Sequence, residues 1–231
     1  FNTCAFCVSG GEKPVRTLSI ESIRRRLQRI HAHGIKNVRV LDRTFNYNPR
    51  RAKELLRLFL EFHPDIRFHL EIHPALLSEE LKEELSLLPK GLLHLEAGIQ
   101  SLREPVLEKS RRMGKLSDAL DGLRFLCALP NMETHADLIA GLPLYHLHEI
   151  FEDVRTLAEY AAGEIQLESL KLLPGTEMRR RAEESGIKYS PLPPYEVLQT
   201  HEINVSELQT ARQLSRLLDG FYNTPAWQAL T

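Results

Sequence analysis

Cys4 and Cys7 stand three apart in Thr3-Cys-Ala-Phe-Cys, with an aromatic residue directly before the second thiol. Two thiols at this spacing suit a metal or cluster loop, a structural zinc pair or a redox pair. They are followed by Ser9-Gly10-Gly11, a loop in which no core needs a cysteine. Cys127 differs: it lies in Leu123-Arg-Phe-Leu-Cys-Ala-Leu, an apolar helical run, and reads as a small core hydrophobe. A second set of chemistry-bearing residues repeats with period two. His69, Glu71 and His73 alternate with Phe68, Leu70 and Ile72. His94, Glu96, Gly98 and Gln100 alternate with Leu93, Leu95, Ala97 and Ile99. His135, Asp137 and Ile139 alternate with Ala136, Leu138 and Ala140. Successive strand side chains point to opposite faces, so each stretch has one polar and one apolar face.

The elements that must carry these residues alternate in type. Helical spacing from Leu18 ends at Gly34, and Val38–Leu41 reads as a strand. Pro49–Phe62 is a helix, Ile66–Ile72 a strand, and Ser78 caps a helix running to Leu88. Leu92–Ile99 is a strand, followed by helices Glu104–Met113 and Ser117–Leu129. Thr134–Ala140 and Ile165–Leu173 are strands, separated by a helix over Leu147–Ala162 and followed by one over Glu177–Ser185. Past the breaker Ser190-Pro-Leu-Pro-Pro, helical stretches are expected at Tyr195–Ile203 and Glu207–Tyr222.

Strand–helix alternation predicts an α/β fold with a parallel sheet covered by helices. Eight units of a closed barrel need about 250 residues; five are visible in 231 residues. The cysteine loop should itself follow a strand. The expectation is a partial, open TIM-type barrel of about six β/α units, its first strand missing from the chain, with a C-terminal helical extension. The expected division is residues 1–186 for the barrel and 187–231 for the extension. The apolar faces must meet the helices, so the polar faces point inward. A centre holding carboxylates and histidines must be wet, ligand-filled or fully paired, because burying an unpaired charge costs several kcal/mol. Sites of parallel β/α folds lie at the carboxyl ends of the strands, where Asp42, Glu71, His73, Gln100 and Gly141 fall.

Composition narrows the function classes. The net charge of −1 argues against a protein built mainly on polyanion binding. Apolar runs are broken by charges within a few residues, so no membrane span is expected. Three cysteines are too few for a disulfide scaffold. The arginine runs Arg24-Arg-Arg and Arg179-Arg-Arg read as solvated helix faces.

Several segments together resemble the radical S-adenosylmethionine superfamily, whose signature is Cys-x3-Cys-x-aromatic-Cys. Cys4-Ala-Phe-Cys7 is similar to its second half. Glu71-Ile-His-Pro resembles the third-strand acidic motif, and Gly98-Ile-Gln-Ser the fourth-strand motif. Arg111-Arg112 follows at the expected distance. Asp137-Leu-Ile-Ala-Gly-Leu-Pro resembles the fifth-strand motif, and Leu172-Leu-Pro-Gly-Thr the sixth-strand end. These segments are in the order of the coproporphyrinogen-oxidase and methylthiotransferase branch. Val40-Leu-Asp-Arg-Thr-Phe-Asn and Pro193-Pro-Tyr-Glu-Val-Leu are similar to an uncharacterised cobalamin-binding family of the superfamily.

The resemblance implies a [4Fe–4S] cluster with Cys4 and Cys7 as ligands. The third would be expected at the position before Phe1, without which this chain would be inactive. It implies reductive cleavage of S-adenosylmethionine to a 5′-deoxyadenosyl radical acting on a small-molecule substrate. The continuation would be cobalamin-dependent methyl transfer or oxidative rearrangement, with any cobalamin on a missing N-terminal domain. Phe6 would lie near the adenine. Glu71, Gln100, Arg112 and Asp137 would hold the cosubstrate, and Glu71 and Arg112 could pair with each other. Asp42 departs from the glycine-rich second-strand end of some members; it could meet the cosubstrate's ammonium or simply form a helix-entry turn. The resemblance further implies a cytoplasmic enzyme with an electron donor such as flavodoxin or ferredoxin and no membrane; tRNA is the one nucleic acid that relatives bring in.

Two other readings stand beside this one. One is a metal-dependent hydrolase barrel using His69, Glu71, His94 and His135, with Cys4–Cys7 a structural zinc pair. The other is a ligand-binding barrel without catalysis.

Overall fold

A computed structural model describes residues 3–8, 16–160, 163–224 and 226. Ser9, Gly10, Gly11 and the end of the expected helix at Ala162 lie outside them. In chain order the elements are α1 (Ile20–Ala32), β1 (Asn37–Val40), α2 (Pro49–Leu60), β2 (Arg67–Ile72), α3 (Glu79–Ser86), β3 (Leu93–Gln100), α4 (Glu104–Lys109), α5 (Leu116–Ala128), β4 (Glu133–Ala140), α6 (Leu147–Glu159), β5 (Glu164–Ser169), α7 (Glu177–Arg180), β6 (Lys188–Tyr189), β7 (Val197–Gln199) and α8 (Val205–Leu217). Five strands form one sheet in the order β1-β2-β3-β4-β5. The β1–β2 and β2–β3 pairs are parallel, and the register sets His69 opposite His94 and Glu71 opposite Glu96. The expected α/β architecture of successive β/α units is present.

The chain divides into two compact units. One comprises Pro14–Gly98 and Ser117–His135; the other comprises Phe1–Lys13, Ile99–Leu116 and Ala136–Thr231. In the first, Pro49 opens α2 and the Asn48 side chain accepts a hydrogen bond from the Arg51 N–H, satisfying a donor that the helix cannot. The helical spacing of Ala52, Leu55, Leu56 and Phe59 gives α2 one buried face. Phe59 stacks on Phe68 of β2, with ring centres 4.1 Å apart. Each such buried side chain contributes roughly 1.5–3 kcal/mol of transfer free energy. On β2 and β3 burial alternates residue by residue, apolar residues buried and polar ones half-buried. Gly122 of α5 has no room for a side chain, since a Cβ there would stand 2.1 Å from the Pro74 carbonyl oxygen.

In the second unit, α6 presents Ile150, Val154 and Leu157 as its buried stripe. Asn204 caps α8 reciprocally with Glu207. Beyond α8, the Asn223 amide accepts from the Ile165 N–H at 2.9 Å and donates to the Ile165 carbonyl at 3.1 Å.

The structure corrects four expected elements. Tyr195–Ile203 is not helical: Val197–Gln199 is a strand, antiparallel to β6. Val197 is buried and donates its N–H to the Leu170 carbonyl at 2.9 Å, so pairing with the preceding segment overrides local helical spacing. The strand expected to Leu173 ends at Ser169. The helix expected over Glu177–Ser185 is one α-turn followed by a 3₁₀ turn at Ala182–Ser185. The helix expected to Met113 stops at Lys109, where Arg111 turns to a positive φ of 55°.

Candidate functional site

In the unit that contains Cys4, the thiol segment is a single turn closed by a hydrogen bond from the Cys7 N–H to the Cys4 carbonyl, 3.1 Å. Two neighbours pin it. The Ala5 N–H donates to the Ser110 carbonyl at 2.9 Å, and the Ala5 carbonyl accepts from the Met178 N–H at 2.8 Å. Neither cysteine is in a disulfide; Cys4 is buried and Cys7 half-buried. Arg112 Nη1 reaches Cys4 Sγ at 3.9 Å. Burial raises the Cys4 thiol above its ordinary value, and the Arg112 guanidinium works against that rise. Arg111, one residue earlier, points to Glu177 at the start of α7. Arg111 has a positive φ of 55°, and the two adjacent arginines meet different partners.

The polar faces of β2, β3 and the start of β4 meet in the other unit. The rings of His69 and His94 stack at 4.8 Å, and His94 and His135 lie 4.9 Å apart. Arg67 Nη2 contacts His94 Nδ1 at 2.8 Å, and His94 Nε2 contacts His135 Nδ1 at 2.6 Å. A guanidinium can only donate, so His94 Nδ1 accepts and its proton resides on Nε2. That proton goes to His135 Nδ1, which leaves the His135 proton on Nε2, facing Glu96 Oε2 at 3.7 Å. His69 Nε2 donates to the same Glu96 oxygen at 2.8 Å, and Arg39 pairs with it as well.

The electrostatics follow from this chain. Burial, reinforced by His135, His69 and Arg67, pushes the His94 imidazole down to about 4. Burial alone would raise the Glu96 carboxyl, but contacts from His135 and His69 and the Arg39 charge hold it well below the usual carboxylate range. Glu71 behaves oppositely: burial and the neighbouring Glu96 charge raise it, against Arg43 and Arg39. Two register-paired carboxylates are thus held in different protonation tendencies by their surroundings.

The structure brings some of the expected site residues together. Cys4, Cys7 and Phe6 share one turn, and Arg112 joins Cys4. Glu71 lies within electrostatic reach of Asp42, with Arg43 at 3.9 Å. Asp42 itself is exposed and accepts from the Thr44 N–H at 3.4 Å, forming the entry turn to Phe45–Tyr47. Gln100 ends β3 with a positive φ of 77°, and Asp137 lies within β4. His73 is buried just past β2; its backbone N–H and carbonyl are both bonded by the Asn46 amide at 2.9 Å.

Sequence reasoning missed Arg39 and Arg67 as partners of the histidine face, although both share the period-two pattern of their strands. It also missed Asp153. This carboxylate is fully buried and accepts from Tyr145 OH at 2.6 Å, Leu102 N–H at 2.7 Å and Arg103 Nε at 2.9 Å. An acid on the apolar stripe of α6 was the available signal. Arg179 was assigned to a solvated face, but it lies over the rings of Tyr189 and Tyr195 at 4.9 and 4.8 Å and donates to the Leu172 carbonyl.

Comparison with known proteins places these features in context. The family model described as "Radical SAM superfamily" matches residues 1–157. A second, described as "Protein of unknown function (DUF4080)", matches residues 183–230. A curated relative, tRNA-2-methylthio-N(6)-dimethylallyladenosine synthase of Herpetosiphon aurantiacus, is 26% identical over an alignment of 191 residues that covers 76% of this chain and 42% of that protein. Among solved structures, the radical S-adenosylmethionine methyltransferase TsrM from Kitasatospora setae, with cobalamin and [4Fe–4S] cluster bound, superposes with a TM-score of 0.69 at 20% identity. The match covers 91% of this chain and 44% of that one. Coproporphyrinogen III oxidase (HemN) from Escherichia coli gives 0.60 at 17% identity, covering 94% and 49%. The two solved structures share the fold, and the chain spans less than half the length of each of these three proteins.

Proposed function

Because this chain belongs to the radical SAM superfamily, we propose that it is the catalytic portion of an enzyme that cleaves S-adenosylmethionine reductively at a [4Fe–4S] cluster. The observation that carries this reading is the Cys4–Cys7 turn with a guanidinium 3.9 Å from the Cys4 sulfur. The donor chemistry fits the cluster: two soft thiols in one pinned turn supply two of the three thiolates, and a cation beside one of them favours its ionised form. When bound, such a cluster would supply the electron that breaks the S–C5′ bond, and the resulting 5′-deoxyadenosyl radical would take hydrogen from a small-molecule substrate.

The chain's own groups do the holding. Cys4 and Cys7 bind as thiolates. Phe6 would lie near the adenine, as the resemblance implies. The Gln100 amide and the Asp137 carboxylate hold the cosubstrate's polar groups, and Arg112 adds positive charge. By the resemblance Glu71 would also help hold the cosubstrate, and Asp42 is the carboxylate that would meet its ammonium. The finer reading is methyl transfer with cobalamin as methyl carrier, or oxidative rearrangement, supported by the sequence resemblance described above. We further place the protein in the cytoplasm, served by a flavodoxin or ferredoxin. Among the described residues no helix is long and apolar enough to cross a membrane, and Cys4 and Cys7 are not disulfide-bonded.

The test is anaerobic reconstitution of the full-length protein with iron and sulfide. The expected result is a brown protein that forms 5′-deoxyadenosine from S-adenosylmethionine on reduction. A colourless protein that leaves S-adenosylmethionine intact would overturn the reading. For the cobalamin part, purification from cobalamin-supplemented cells should yield bound corrinoid, and its absence would remove that part alone.

A further inference from the structure

We propose that His69, His94 and His135 form a three-imidazole site for a divalent first-row transition ion, tested below as cobalt and zinc. One ring nitrogen from each can be chosen so that all three lie within 4.8 Å of one another. Imidazole is a preferred ligand of zinc, cobalt, nickel and iron. Metal–nitrogen bonds of 2.0–2.1 Å in a tetrahedral site put donors roughly 3.3 Å apart, so modest ring rotations close the set. The three residues stand on adjacent strands, with His69 and His94 in direct register.

The outer partners carry the argument further than proximity does. A histidine that binds a metal through one nitrogen usually gives its other N–H to a carboxylate. Each of these three has a carboxylate at hand. His69 Nε2 donates to Glu96 at 2.8 Å, and His135 Nε2 faces the same carboxylate at 3.7 Å. His94 Nδ1 lies 3.8 Å from Glu133 Oε2. The remaining nitrogens are His69 Nδ1, His94 Nε2 and His135 Nδ1, and two of these already touch at 2.6 Å.

Ion entry requires one rearrangement, and the structure supplies its parts. Arg67 now donates to His94 Nδ1, which holds the His94 proton on Nε2. Arg67 also pairs with Glu133. When an ion takes His94 Nε2, the proton on that nitrogen leaves and another binds Nδ1. Glu133 then replaces Arg67 as the Nδ1 partner. His69 and His135 keep their protons on Nε2, so the exchange releases no net proton. Three protein ligands leave a fourth position for solvent or substrate, the arrangement of catalytic rather than structural sites. The proposal does not depend on a cluster at Cys4 and Cys7.

The experiment uses the full chain carrying Cys4→Ser and Cys7→Ser, stripped with chelator and titrated anaerobically with cobalt(II). The expected result is one ion per chain. It should show the visible bands of a tetrahedral nitrogen site, lack a thiolate charge-transfer band and be displaced by one equivalent of zinc. His69→Asn should weaken binding at least tenfold, and Glu133→Gln about tenfold, within the range for outer partners. Circular dichroism melts on both variants confirm that they fold. Absence of stoichiometric binding overturns the proposal. So does binding that the His69→Asn variant retains, because the ion would then sit at other histidines.

Discussion

Arg112 Nη1 lies 3.9 Å from Cys4 Sγ, which ties the segment that follows α4 to the thiol turn. The arginine is half-buried, and the thiol it meets is buried. The contact is a charge-assisted one when the sulfur is ionised, and such contacts are worth about 1.5–3 kcal/mol. Glu71, for its part, pairs with Arg39 at 3.8 Å and with Arg43 at 3.9 Å.

Arg112→Ala should therefore lose iron and sulfide on reconstitution while Arg112→Lys retains an intermediate amount, since lysine keeps the charge but not the planar fork. Iron and sulfide content per chain is the readout. Equal loading in all three proteins would show that the guanidinium does not support the thiol turn.

Stability should fall on mild acidification in chelator-treated protein. An unfolded histidine takes up its proton below about 6.5, whereas folded His94 does so only near 4. Between those values protons bind the unfolded chain preferentially, so stability drops as the pH falls through that window. Glu96, held below its ordinary range, extends the loss to lower pH. His94→Gln should flatten the profile between pH 6.5 and 4, as measured by urea denaturation at each pH.

Asp153→Ala should cost about 3–5 kcal/mol, because it takes the acceptor from the Tyr145 hydroxyl and the Leu102 N–H and leaves Arg103 with Glu152 as its one remaining carboxylate partner among the described residues. Tyr145→Phe removes one hydrogen bond and should cost about 1–2 kcal/mol. A double-mutant cycle should give a clear coupling between the two; additive effects would show that the 2.6 Å contact carries no energy.

Gly122→Ala should destabilise by roughly 1–3 kcal/mol through overpacking, although alanine is the better helix former. The reason is the Pro74 carbonyl oxygen 2.1 Å from the added methyl position. Thermal melts of the variant check this; a raised melting temperature would mean that α5 shifts freely away from Pro74.

Much of the fold was legible in residue order. Pro49 and Ser78 marked helix starts that the structure keeps. The period-two runs around His69 and His94 became strands with the expected alternation of burial. Those signals are local, so a single sequence carries them. The failures have a non-local cause. Tyr195–Ile203 has helical spacing, yet Val197 spends its N–H on Leu170, a partner 27 positions earlier in the numbering. Arg179 sits in a run of three arginines and looked solvated, but two tyrosines from later in the chain cover it.

The candidate chemistry divides in the same way. Residue types and order alone determined that this chain alternates strands and helices, that its strands have one polar face, and that two thiols share a turn. They also carried enough motif to assign the superfamily. Only tertiary structure decided the pairings: Arg112 with Cys4, Arg67 with His94, and one Glu96 carboxylate shared by His69, His135 and Arg39. The physical reason is that periodicity fixes which face a side chain occupies. Which hydrogen-bond donor reaches which acceptor depends on strand register and on loops closing over distances that no local pattern encodes.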